Sequence, residues 1–307
     1  MGSADVVPGV SGGTVALIVG IYERLIASVR SAAEAAVALL RFDVTGFRSG
    51  LAAVHWGLIV PLFAGIALAL VTGAKIIPPL LDDYPQETSA LFFGLILASL
   101  IVPWQRISSF GGREIALAVV AAVAAFVLAG LPDSEITDPP LYAVFPAAMI
   151  AICAMILPGV SGSFLLLVMG LYEPTLEALD ERNLVYVAVF MMGAAVGIGA
   201  FSRLLGWLLD HRHDLTMAAL LGLMLGSLRA LWPYADEGRG LEAPPAELEA
   251  LGVLGFVLLG IAVVTTLLVV GATFGQRDPL VEQGVEARED ADGRPTTEPE
   301  PTASRGS

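Results

Sequence analysis

The sequence predicts an all-α polytopic membrane protein: an inverted-topology repeat of two halves, each a re-entrant helical hairpin followed by three transmembrane helices. Three observations carry this. The chain is 56% hydrophobic and only 15% charged, with a mean hydropathy of +0.78, more apolar surface than a soluble core of 307 residues requires. Six apolar stretches, 54–77, 89–103, 113–131, 184–210, 216–232 and 250–273, suit helices crossing roughly 30 Å of hydrocarbon. Finally, a glycine-rich break occurs twice: Pro8-Gly9-Val10-Ser11-Gly12-Gly13-Thr14 and Pro158-Gly159-Val160-Ser161-Gly162-Ser163-Phe164.

From the amino terminus, the first break interrupts apolar sequence, and lipid tolerates non-helical backbone only where protein or a wet cavity covers it. A returning arm follows at about 14–22, then an amphipathic insert at 28–50 and three spans, closing a first repeat over 1–135. A helix is expected before Val6 as the partner of that arm; the seven residues ahead of Pro8 are too few, so either the protein starts upstream of Met1, the favoured reading, or this half is atypical. The second repeat, 136–275, opens with a complete hairpin: 141–157 enters, the chain turns at Pro158 to Ser163, and 164–172 leaves on the same face. Three more spans follow. Residues 276–307 are rich in Glu, Asp, Pro, Thr and Gly, a composition that cannot bury enough apolar surface to fold; they read as a disordered acidic tail.

Charge sets the expected orientation. With the tail in the cytoplasm, the inner connections are 22–53, 104–113, 211–215 and 276 onward. They carry Arg24, Arg30, Arg41, Arg48, Arg106, Arg113, Arg212 and Arg277, against Arg182 and Arg239 outside, as the positive-inside rule requires. The outer connections carry Asp82, Asp83, Glu87, Asp133, Glu135, Asp138, Glu177, Asp180, Glu181, Asp236 and Glu237.

The two halves keep register. Gly20-Ile21-Tyr22-Glu23 answers to Gly170-Leu171-Tyr172-Glu173 at the same 150-residue offset as the breaks. Beyond them Gly65 answers to Gly193, Lys75 to Arg203, Gly94 to Gly222 and Trp104 to Trp232, all 128 apart; the insert accounts for the difference. Because each half has three spans, an odd number, the second lies upside down relative to the first. Transporters with this architecture place substrate near the midplane at broken helices.

Proline and glycine in the breaks release backbone N–H groups, and the arm that follows begins a new helix. Free N–H groups at a helix start attract an anion such as phosphate. Ser11, Gly12, Gly13 and Thr14, with Ser161, Gly162 and Ser163, are therefore candidate phosphate ligands; close helix packing by small residues is the competing explanation. Lys75 and Arg203 occupy equivalent places in the two halves. Either they snorkel or they hold an anionic headgroup, one near each leaflet. Glu23 and Glu173 are candidates for proton coupling, against simple interfacial solvation, with Tyr22 and Tyr172 as interface anchors. Arg229 reads as a snorkelling residue. Cys153, alone in an apolar run, reads as a packing residue. His55, His211 and His213 lack metal-ligand spacing, so neither metal nor cofactor is expected, and a net charge of −14 gives no basis for nucleic-acid binding.

The string PGVSGGTVALIVGIYE and its second copy PGVSGSFLLLVMGLYE resemble the bacterial and archaeal membrane family regarded as polyprenyl-phosphate transporters, over about Val6 to Phe274. The resemblance implies flipping of a lipid carrier phosphate, undecaprenyl or dolichyl, from the outer to the cytoplasmic face of the plasma membrane for recycling in cell-envelope glycan synthesis. It implies no enzymatic activity. Besides a purely structural membrane scaffold, two other classes stay open. One is a small-anion secondary transporter. The other is a phosphatase similar to the undecaprenyl-pyrophosphate phosphatases, whose Pro-Gly-x-Ser-Arg-Ser loop carries an arginine where this chain has Gly12 and Gly162. A homo-oligomer is compatible with the sequence.

Overall fold

The computed structural model describes residues 1–2, 11–235, 240–244 and 248–275. The tail 276–307 lies outside the described residues, as do Val6, Pro8, Gly9 and Val10 of the first break. Contacts group Met1–Leu267 as one compact unit and Leu268 onward as a second.

Ser11 caps α1 (Gly12–Ile18), and α2 (Tyr22–Leu40) follows after Gly20, whose φ of +77° only glycine adopts freely. The insert is a helical hairpin, α2 against α3 (Val44–Ala52), which Asp43 caps through the Gly46 N–H at 2.9 Å. Next come α4 (Trp56–Asp83), α5 (Pro85–Ser99), the short α6 (Ile101–Arg106) and α7 (Gly112–Ala129). The second half contains α8 (Leu141–Ile156), α9 (Gly162–Val168), α10 (Tyr172–Asp180), α11 (Leu184–His211), α12 (His213–Ser227), a 3₁₀ turn (Leu228–Leu231) and α13 (Leu248–Gly275).

Helix lengths repeat as the sequence does. At the 150-residue offset α1 and α9 have 7 residues each. At the 128-residue offset α4 and α11 have 28 each, and α5 and α12 have 15 each. Five described helices, α5 with α6 included as one, are long and apolar enough to cross a membrane; the pair α3 and α4, bent by 73°, makes a sixth. This is an all-α polytopic membrane protein.

Close helix crossings rest on glycine. In α12, Gly222 and Gly226 lie on the backbone of α7 at Ala118 and Ala122. In α11, Gly193 and Gly197 lie on α8 at Phe145 and Met149. Both are G-x-x-x-G stripes that let backbones approach where a Cβ would collide. Gly94 of α5 rests likewise on Val257 of α13. The equivalent glycines Gly94 and Gly222 thus each receive the last long helix of the opposite half.

The second break is a hairpin. The chain leaving α9 returns to the segment that precedes α8: the Ser134 N–H donates to the Leu167 carbonyl at 3.2 Å, and Gly170 (φ +70°) sits against Ile136.

Candidate functional site

Both breaks end in a serine N-cap, and the two meet. Ser11 has extended backbone (φ −126°, ψ 137°) and accepts from the Gly13 N–H at 3.1 Å. Ser161 (φ −96°, ψ 126°) accepts from the Phe164 N–H at 3.4 Å. Helix α8 stops at Ile156, which leaves its last carbonyls without intrahelical donors. First-half hydroxyls supply them. Ser11 donates to the Met155 carbonyl at 3.3 Å, and Tyr22 donates to the Ile156 carbonyl at 3.3 Å. In the reverse sense, Thr14 Oγ1 accepts from the Gly159 N–H at 3.1 Å. Three hydrogen bonds therefore clasp the first half onto the end of α8 and the second break, one of them, Gly159 to Thr14, running directly from break to break.

Glycine is required at the contact. A Cβ on Gly13 would sit 2.8 Å from the Ile156 carbonyl oxygen, and one on Gly162 would sit 2.5 Å from that of Ala151. Gly159 adopts φ +83° with its Cα against the Met224 backbone of α12. The small residues so hold the breaks close, and they also leave space. Between α8, α9 and α11 lies a cavity of about 250 Å³ lined by Ser11, Ser161, Gly162 and Ser163, with apolar walls that include Ile152 and Phe190. The Ser161 and Ser163 hydroxyls are 2.9 Å apart, so an acceptor placed between them could receive two donors. Ser11 is already engaged twice, and Thr14, 2% exposed, belongs to the clasp rather than to the cavity lining.

The other candidates fall elsewhere. Arg203, on α11, lies 4.0 Å from Glu34 and borders a separate cavity of about 630 Å³. Lys75 is in α4, and its side chain lies outside what the structure describes. Glu23 accepts from Arg106 at 3.0 Å and lies 3.6 Å from His213 Nε2. Beside it, Asp214 accepts from the Ser108 and Ser109 N–H groups, each at 3.2 Å. Segments 22–53, 104–113 and 211–215 thus converge on one face. Glu173 instead borders a cavity of about 240 Å³ together with Asp133, Glu135, Glu177 and Tyr172. Among the described residues, no group of His, Cys, Asp and Glu is arranged to hold a metal ion.

Two sequence expectations need correction. Tyr22 is not an interface anchor: it is fully buried, with its hydroxyl on Ile156. Arg229 does not simply snorkel; its guanidinium stacks 4.6 Å from the Phe126 ring centroid and donates to the Phe126 carbonyl at 3.2 Å, in the last turn of α7. The signal for Tyr22 was its place in the repeat, but spacing does not reveal which break a hydroxyl will reach.

Residues 1–244 match the family described as VCA0040-like, undecaprenyl phosphate translocase-like. A protein of Vibrio cholerae named polyprenyl-phosphate transporter is 37% identical over 236 residues, covering 77% of this chain and 76% of its own length. One of Staphylococcus aureus with the same name is 31% identical over 253 residues, covering 76% and 83% respectively. No solved structure matches. With the family match spanning most of the chain, and the doubled break clasped as described, the chain belongs to the undecaprenyl phosphate translocase-like family.

Proposed function

We propose that this protein carries a polyprenyl phosphate, undecaprenyl or dolichyl, across the plasma membrane from the outer to the cytoplasmic leaflet, returning the carrier for cell-envelope glycan synthesis. The observation that carries the reading is the cavity at the clasped breaks: serine donors on one side, hydrocarbon walls on the other. A phosphate bound to a long isoprenoid needs both. Ser161 and Ser163 with the Gly162 backbone hold the headgroup, Ser11 and Gly12 border it from the first half, and Gly13 and Thr14 keep the breaks together.

The halves 1–135 and 136–275 act as inverted repeats that exchange which face reaches the cavity. Equal helix lengths at fixed offsets, and the reciprocal placement of Gly94 and Gly222, support this. The arginine excess of the inner connections supports a cytoplasmic location for the Glu23 face and the tail. Lys75 and Arg203 are the leaflet-specific phosphate contacts. Glu23, beside His213, and Glu173, among carboxylates, are the candidates for proton coupling.

The apolar walls favour a lipid over a small soluble anion. Hydrolysis of a lipid pyrophosphate requires a cation at the transferred group and an activated nucleophile; the described lining of the cavity contributes serines and apolar side chains. The test is the amount of polyprenyl phosphate accessible at the outer face of cells with and without the protein. Depletion should raise it, and Ser161→Ala with Ser163→Ala should reproduce the rise. Unchanged outer-face carrier on depletion would overturn the reading.

A further inference from the structure

The cavity that Arg203 borders shares no lining residue with the serine cavity. It lies between α2, α4 and α11, and at about 630 Å³ it is more than twice as large. Its floor is where Gly199 of α11 meets Ala33 of α2, a Cβ on the glycine falling 3.6 Å from the alanine methyl. From there a helix-spaced apolar stripe of α2, including Val29, Ala36 and Leu40, forms one wall, and Phe63 of α4 forms another. The stripe belongs to the amphipathic insert, which the second half of the repeat lacks.

The guanidinium at the edge is only loosely compensated. Glu34 stands 4.0 Å from Arg203 but is held more closely, at 3.2 Å, by Arg30. A cation bordering hydrocarbon is costly unless an anion meets it. A small soluble anion would leave the apolar volume unused, and a phospholipid would bring two chains to one groove. Charge and shape together select an amphiphile with one phosphate and one chain.

Resting on the transport reading, we infer that this groove is a second seat for the carrier lipid: Arg203 holds the phosphate and the α2, α4 and α11 walls take the first part of the isoprenoid chain. The carrier would occupy it before or after the serine cavity, on the side where α2 lies.

Native mass spectrometry of the full chain with undecaprenyl phosphate as probe tests this by stoichiometry. Wild type should hold two lipids per chain. Arg203→Gln should weaken one of them about tenfold or more, the effect of losing a charge-assisted contact, and Ala36→Phe, which fills the groove while keeping the arginine, should do the same. Retention of two lipids of unchanged affinity in both variants would overturn the inference. So would displacement of the Arg203-dependent lipid by phosphatidylglycerol at equal concentration, which would make the groove an ordinary bilayer contact, or by inorganic phosphate, which would make it a bare cation site. Failure of the transport reading would look different: the lipid that depends on Ser161 and Ser163 would be missing from wild type.

Discussion

Equivalent glycines in the two halves should respond oppositely to the same substitution. Gly193 of α11 and Gly65 of α4 occupy the same place in the repeat. Around Gly65, among the described residues and apart from its own helix backbone, no atom lies within 4 Å of where a Cβ would sit, so Gly65→Ala should add only helix propensity and stabilise by about 0.5–1 kcal/mol. At Gly193 the new methyl would collide with the Phe145 carbonyl oxygen and come within 3.1 Å of the Ala148 methyl. Forcing an extra methyl into packed structure costs about 1–3 kcal/mol. Less the propensity gain, Gly193→Ala should therefore lose up to roughly 2.5 kcal/mol. Reversible unfolding in mixed micelles, followed by circular dichroism, reads both changes. Because α8 and α11 also wall the serine cavity through Ile152 and Phe190, Gly193→Ala should weaken lipid binding as well, whereas Gly65→Ala should not. Shifts of the same sign and size at the two positions would refute the packing argument.

Removing the Tyr22 hydroxyl in Tyr22→Phe leaves the Ile156 carbonyl without its donor and should cost about 0.6 kcal/mol, up to about 1.7, the range for hydrogen bonds inside membrane proteins, in the same unfolding assay. Ser11→Ala should add a comparable loss, and the pair should be non-additive because both clasp the end of α8. The Glu23–Arg106 pair is half exposed on the glutamate side, so a double-mutant cycle with Glu23→Gln and Arg106→Gln should return about 0.2–1 kcal/mol of coupling that shrinks as salt rises. Gly162→Ala, whose methyl would press on the Ala151 carbonyl, should reduce transport of undecaprenyl phosphate in proteoliposomes more than it reduces expression.

Much of this was legible in the residues. Proline and glycine in apolar sequence leave helical ladders unfinished; in the structure a new helix starts after each, with Ser11 and Ser161 as the caps, and α8 ends just before the second break. Register was legible because homologous spacing gives homologous helices, as α4 and α11 show. Orientation around a helix axis was not. Lys75 and Arg203 share a position in the repeat, yet which groove Arg203 borders depends on the insert α2, present in one half alone. Tyr22 and Tyr172 share a motif, but the clasp makes the two environments unequal: one tyrosine is fully buried against α8, and the other borders an acidic cavity. Pairwise tertiary contacts of that kind depend on how the halves dock, which no local pattern encodes.

Affinity of the purified protein for immobilised undecaprenyl phosphate, with equal free phosphate as the reference, bears most directly on the serine cavity. Each lost hydrogen bond to a charged group is worth about 1.5–3 kcal/mol, so Ser161→Ala with Ser163→Ala should weaken lipid binding at least tenfold while the fold, followed by circular dichroism, is retained. A folded variant that binds the lipid as wild type does would contradict the account.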